Sequence, residues 1–181
     1  MNKIFKYLSI VLFSFFISTG VFSKTEVVYI PKNTGNPYFD SIIKGFEVGA
    51  EKYGYNFTTV APATADATSQ LPFIKAQIQR GVDVIAISPN SNDALNTVFD
   101  QAKKKGIIIM VVNGDIPGSE DHRDVAIMPV DFSTIGTAQM TLMGQLIDQK
   151  GQFAILSATT DAPDQNTWIK DMEDNIIGTG M

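Results

Sequence analysis

Two hydrophobic rhythms alternate along this chain. Strand-like runs with few polar interruptions, at 26–30 (EVVYI), 82–88 (VDVIAIS) and 107–113 (IIIMVVN), separate stretches whose apolar residues recur every three or four positions. The first rhythm belongs to strands covered on both faces, the second to amphipathic helices. From 37 to 53, Phe39, Ile42, Ile43, Phe46, Ala50 and Tyr53 share one helix face. Asn36 is placed to cap this helix, and Pro37 takes a first-turn position where a missing N–H costs nothing. Gly54 ends it. A strand at 56–60 (NFTTV) and a polar loop at 61–70 lead to a helix carrying Leu71, Ile74 and Ile78 that stops near Gly81. Ala94, Leu95, Val98, Phe99 and Ala102 mark the next helix, stopped at Gly106, and 125–130 (VAIMPV) reads as a fifth strand. Strands separated by helices require crossover connections, so the pattern predicts an α/β fold with a doubly wound, mostly parallel sheet.

After Asp131 the rhythm continues only briefly. It predicts a helix over 133–148, a strand over 152–158 (QFAILSA) and a helix from about Asp164, before the final NIIGTGM. That single strand has no obvious partner.

The first residues follow a different logic. Lys3 and Lys6 precede an apolar stretch from Tyr7 to Ile17, and small or polar residues lead to Ser23. This is the layout of a secretory signal peptide, predicting removal of 1–23 and an exported mature chain that starts at Lys24; a bacterial periplasm is its natural home, although export alone does not name the compartment. The chain has no cysteine, so an exported form relies on its core rather than on disulfides. Its net charge is −5, and the lysines at 103–105 are its only cationic cluster, a pattern that argues against nucleic acid as a partner.

Ligands of open parallel sheets bind beyond the carboxyl ends of the strands. The residues placed there are Lys32, Asn36, Tyr38 and Phe39 after the first strand, Ser88 and Asn90 after the third, and Asn113 and Asp115 after the fourth. Asp164 and Gln165 follow the 152–158 run. No glycine-rich phosphate cradle is present. His122, the sole histidine, has no serine or cysteine in a nucleophile context, and Glu120, Asp121 and Asp124 lack the spacing of a calcium loop. No catalytic residue, metal or cofactor is expected. Amides, carboxylates and aromatic faces together suit a sugar, whose hydroxyls exchange hydrogen bonds while its C–H face lies on a ring.

Three segments, IPKNTGNPYFDSIIKGFEVGAEKYGYNFTTV, QRGVDVIAISPNSNDAL and AKKKGIIIMVVNGDIPGS, resemble the type 1 periplasmic sugar-binding proteins of ABC importers. The likeness runs from Glu26 to Asn175, and TTDAPDQNTWIKDM resembles the branch containing rhamnose- and autoinducer-2-binding receptors. The resemblance implies two α/β lobes clamping a ligand, membrane subunits of an ABC transporter as partners, and a monomer at full length. Asn36, Tyr38 and Phe39 match the family's N-P-[FY]-F turn, which sets an amide and an aromatic ring against the sugar. Lys32 matches a lysine of the autoinducer-2 branch, and Ser88 and Asn113 fall at lobe-one contact positions. Asp164 and Gln165 match that branch's Asp-Gln pair. Where relatives often have Asp, sometimes followed by Arg, this chain reads Asn113-Gly114-Asp115. Family members run to nearly twice this length. The expectation is therefore a signal peptide at 1–23, an N-terminal lobe at 24–131 and an incomplete second lobe at 132–181. Its function would be a substrate-binding component for a sugar or sugar-like polyol. The alternatives are an autoinducer-2-type receptor or a truncated, non-functional receptor fragment.

Overall fold

The computed structural model describes residues 23–175. The expected signal peptide, apart from Ser23, and the last six residues lie outside the described residues.

Five parallel strands form the sheet, in the order β2-β1-β3-β4-β5. They are β1 (Glu26–Ile30), β2 (Asn56–Thr59), β3 (Val84–Ile87), β4 (Ile108–Val112) and β5 (Val125–Ile127). The crossovers carry α1 (Pro37–Tyr53), α2 (Leu71–Arg80) and α3 (Asn96–Lys104), while a 3-10 turn at Glu120–His122 lies between β4 and β5. In register, Val27 pairs with Phe57 on one side and Val84 on the other, and Ile85 with Ile109. The predicted α/β class is the one observed.

Period-two alternation sorts the strand side chains to two faces. Val28, Ile30, Ile85, Ile87, Ile109 and Val111 pack beneath α2 and α3 with Ile74, Ile78, Val98 and Phe99. Tyr29, Ala86 and Val112 turn the other way, under Phe39, Ile42, Ile43 and Phe46 of α1. Tyr29 stacks on Phe46 at 5.1 Å, and Phe46 on Phe57 at 5.4 Å. The Asn36 side chain accepts from the Tyr38 backbone N–H at 3.1 Å, as a cap should, and Gly54 closes the helix at φ 72°, a conformation that favours glycine.

The second face departs from the expectation of strands covered on both sides. Among the described residues only α1 covers it, and a groove of about 520 Å³ runs beside the helix, lined by Phe46, Tyr53, Met110 and Ile127 among others. Ile108 and Ile127 are consequently exposed.

Beyond β5, α4 (Ile135–Leu146) and α5 (Pro163–Asn175) pack as a pair. Gly136 permits their close approach: a Cβ there would stand 2.2 Å from the Trp168 carbonyl oxygen. Asp171 of α5 accepts from the Thr137 backbone N–H at 2.6 Å and from its hydroxyl at 3.0 Å. The strand predicted at 152–158 does not form. Among the described residues it has no neighbouring strand, so its backbone has no ladder to join, and Phe153, Ile155 and Leu156 are exposed. The fifth strand is also shorter than predicted, ending at Ile127 rather than 130.

Candidate functional site

Strand order reverses between β1 and β3, and the chain emerging from those two strands forms the floor of the site. Gln70, fully buried, joins their ends. Its amide nitrogen donates to the Pro31 carbonyl at 3.0 Å and the Ser88 carbonyl at 2.8 Å, while its oxygen accepts from the Asn90 N–H at 3.0 Å. The Asn90 side chain in turn donates to the Lys32 carbonyl at 2.9 Å. Lys32 is thus held by its backbone before its side chain is considered.

The Lys32 ammonium donates to Asp164 Oδ1 at 2.5 Å across 132 residues of sequence. Lys32 is 8% exposed and Asp164 7%. Asp164 sits in the first turn of α5, where a carboxylate also meets the positive end of the helix dipole. Beside this pair, the Tyr38 hydroxyl donates to Asn113 Oδ1. Burial, and then the negative Asp164, push the Tyr38 phenol above its ordinary pKa, so it remains a donor. Asn113 has φ 65°, and its N–H is fixed on the Ile127 carbonyl at 2.9 Å.

The other expected residues divide. Tyr38 stands half exposed at the rim, whereas Phe39, 4% exposed and edge-on to it at 5.4 Å, belongs to the core. The side-chain oxygen of Asn36 is engaged in its cap. Ser88 lies sealed below the floor. Its hydroxyl donates to the Val112 carbonyl at 2.9 Å and receives the Tyr29 hydroxyl at 2.8 Å. Asp115 faces the Arg123 guanidinium in a two-pronged contact, 2.6 Å at each oxygen. That hydrogen bond holds its carboxyl below the usual range against the opposing effect of burial, with the Ile116 N–H assisting. Gln165 Oε1 accepts from the Ser157 hydroxyl at 2.5 Å and the Ala158 N–H at 2.7 Å, which ties α5 to the extended segment before it.

Lys32, Tyr38, Asn113 and Asp164 are therefore the expected residues that converge. Three more were not anticipated from sequence. Gln70 positions Lys32; Phe132 sets its ring edge-on to Trp168 at 5.5 Å and 88°. Gly114 lies beneath Phe132, and a Cβ there would be 3.3 Å from Phe132 Cε2 and 3.9 Å from Asp164 Cβ. His122 meets Asp100 at 2.7 Å on the 3-10 turn beside α3. Charge is balanced in the cluster, with one ammonium, one carboxylate, one amide and one phenol. Such a set pairs hydroxyl groups of a neutral ligand as donor and as acceptor.

A family model described as a periplasmic binding protein domain matches residues 27–178. The D-allose-binding periplasmic protein of Escherichia coli (strain K12) is 32% identical over 111 residues, covering 61% of this chain and 36% of that protein. The ribose import binding protein RbsB of Bacillus subtilis (strain 168) is 31% identical over 78 residues, 43% of this chain and 25% of that protein. Among solved structures, an ABC transporter solute binding protein from Clostridium phytofermentas with bound L-rhamnose superposes with a TM-score of 0.81 at 28% identity. It is covered over 49% of its length by 87% of this chain. A solute binding protein from Burkholderia graminis C4D1M in complex with D-arabinose gives 0.76 at 28% identity, over 84% of this chain and 51% of that one. The chain spans about half the length of these structures and a smaller share of the two curated relatives.

Proposed function

This chain belongs to the periplasmic binding protein domain family, and from that premise we propose that it serves as the ligand-recognition part of an ABC importer for a neutral sugar or sugar-like polyol. On this reading it is exported by its N-terminal segment, works in the periplasm without catalysis, and delivers ligand to membrane subunits of the transporter. Residues 24–131 form the first lobe, and the α4–α5 pair belongs to the second.

The observation that carries the reading is the convergence of Lys32, Tyr38, Asn113 and Asp164 at the strand-order reversal. A ligand hydroxyl entering there exchanges one protein partner for another. Hydrogen bonds to charged groups are worth roughly 1.5–3 kcal/mol each, which makes Lys32 and Asp164 the strongest contacts available. Ser88 and Phe39 support the site from below, and Asp115 fixes the loop through Arg123. An autoinducer-2-type furanosyl ligand would engage the same Lys32 and Asp164, so it joins the test panel.

Thermal melting with millimolar pentoses, hexoses and 6-deoxyhexoses tests the proposal. At least one is expected to raise the midpoint, with no turnover, and Asn113→Ala should remove the rise. A midpoint unmoved by every sugar and by the furanosyl compound would overturn the reading.

A further inference from the structure

We propose that the last six residues, 176–181, add as a parallel strand to the extended segment 153–157, completing a strand–helix–strand unit that braces α5 where it presents Asp164 to Lys32. The bracing does not depend on which ligand the site takes.

The segment offers an open place. Residues 152–158 have the composition of a strand yet join no ladder among the described residues, and Leu156 is 99% exposed. A cavity of about 460 Å³ lies between them and the α4–α5 pair, lined by Ile155, Leu156, Gln165, Trp168 and Met172 among others. The Nε1–H of Trp168 is closed to water and has no acceptor among the described residues. Buried donors in folded proteins are nearly always paired, so one without an acceptor on a cavity wall marks a missing partner. The carbonyls of an added strand are acceptors of the right kind.

Helix α5 returns the chain to this place. Gln165, near its start, meets Ser157 and Ala158, while Met172, two turns later, lines the same cavity as Ile155 and Leu156. The helix therefore runs back along the segment. Its 13 residues span about 20 Å, close to the ~23 Å of a seven-residue strand. The chain leaving Asn175 starts near the beginning of the segment, and a strand laid along it from there is parallel. The same step links β1 to β2 through α1 and β3 to β4 through α3. Ile176, Ile177 and Thr179 are β-branched, as strands favour, and Gly178 and Gly180 keep the run short. Tethering decides between occupants, because a tail attached beside the segment has an effective concentration in the millimolar range, above that of a separate molecule. Gln165 adjoins Asp164, so a ladder on 153–157 steadies the turn that carries the carboxylate.

The chain has no cysteine, so introduced pairs report without background. In the 181-residue chain, Leu156→Cys is combined in turn with Ile176→Cys, Ile177→Cys and Thr179→Cys and oxidised mildly. Neighbouring strands lie about 4.8 Å apart, inside the ~4.4–6.8 Å Cα range of a disulfide, and alternate residues face opposite ways. One pair is expected to close within the chain about tenfold faster than the other two. By hydrogen exchange, amides of 154–157 should be protected about tenfold more in the parent than in Ile177→Pro, which removes a ladder donor. Equal closure of all three pairs means a tail without register and overturns the proposal. Disulfides between chains, or protection that survives Ile177→Pro and grows with protein concentration, give the edge to a second copy and overturn it too. Equal exchange in the parent and Ile177→Pro does the same. Where Leu156→Cys disturbs folding, the exchange comparison decides. Neither readout involves a ligand, so the sugar-binding reading stands or falls separately.

Discussion

Removing one partner of the Lys32–Asp164 pair should damage the protein more than removing both. The ammonium and carboxylate are 2.5 Å apart, with side chains 10% and 8% exposed. Asp164→Ala would leave a cation in a place nearly closed to water, a situation that typically costs about 3–5 kcal/mol. The cost has a ceiling, because α5 can withdraw and let water reach Lys32 once the contacts around Phe132 and Trp168 give way. The low end of the range, about 3 kcal/mol, is therefore expected. With a urea slope of ~1–3 kcal/mol per molar, the unfolding midpoint falls by roughly 1–3 M. Replacing the pair by apolar groups of similar size, Lys32→Met with Asp164→Leu, should stay within about 1 kcal/mol of the parent or exceed it. Trp168, the single tryptophan, lies one turn along the same helix and reports the transition by its fluorescence. An unchanged midpoint for Asp164→Ala, or equal losses in the single and double variants, would refute the claim that this pair is desolvated.

Two further predictions concern stability. The Asp115 carboxyl is held below its ordinary value chiefly by Arg123, so its contribution is complete above the unfolded pKa of about 3.9 and fades as pH falls through the lower folded value. Arg123→Met should therefore flatten the loss of urea resistance between pH 5 and 2, and an unchanged slope would remove Asp115 as its cause. Gly136→Ala should cost about 1–3 kcal/mol, since the added methyl meets Trp168 and Met172 backbone atoms at 2.2 and 2.7 Å. A melting temperature equal to the parent's would show that the two helices are not in such close contact.

The sheet was readable because its strands are continuous apolar runs and its helices carry their own punctuation. Asn36 and Gly54 bound α1 where the residue types require. Some of the site was readable in principle. Phe39 stands in the helix stripe with Ile42, Ile43 and Phe46, and Tyr38 does not, which already separates a core ring from a rim ring. Ser88 follows Ala86 in period two, so it shares the face beneath α1 rather than the rim. The segment 152–158 has the composition of a strand, but composition cannot supply a neighbour. Phe132 over Gly114, and Lys32 against Asp164, depend on where distant segments meet. No local period encodes those meetings.

The distance in sequence between Lys32 and Asp164 also orders events in time. Contacts between neighbours in the chain close first, because entropy penalises long loops, and the strand pairings of the sheet involve separations well below 132 residues. As the chain folds, the sheet can assemble once β5 is available, while Lys32 waits with its charge still hydrated. Only when α5 follows does the ammonium exchange water for a carboxylate. The Lys32–Asp164 contact thus consolidates after the sheet, and its loosening can precede the melting of the strands beneath it.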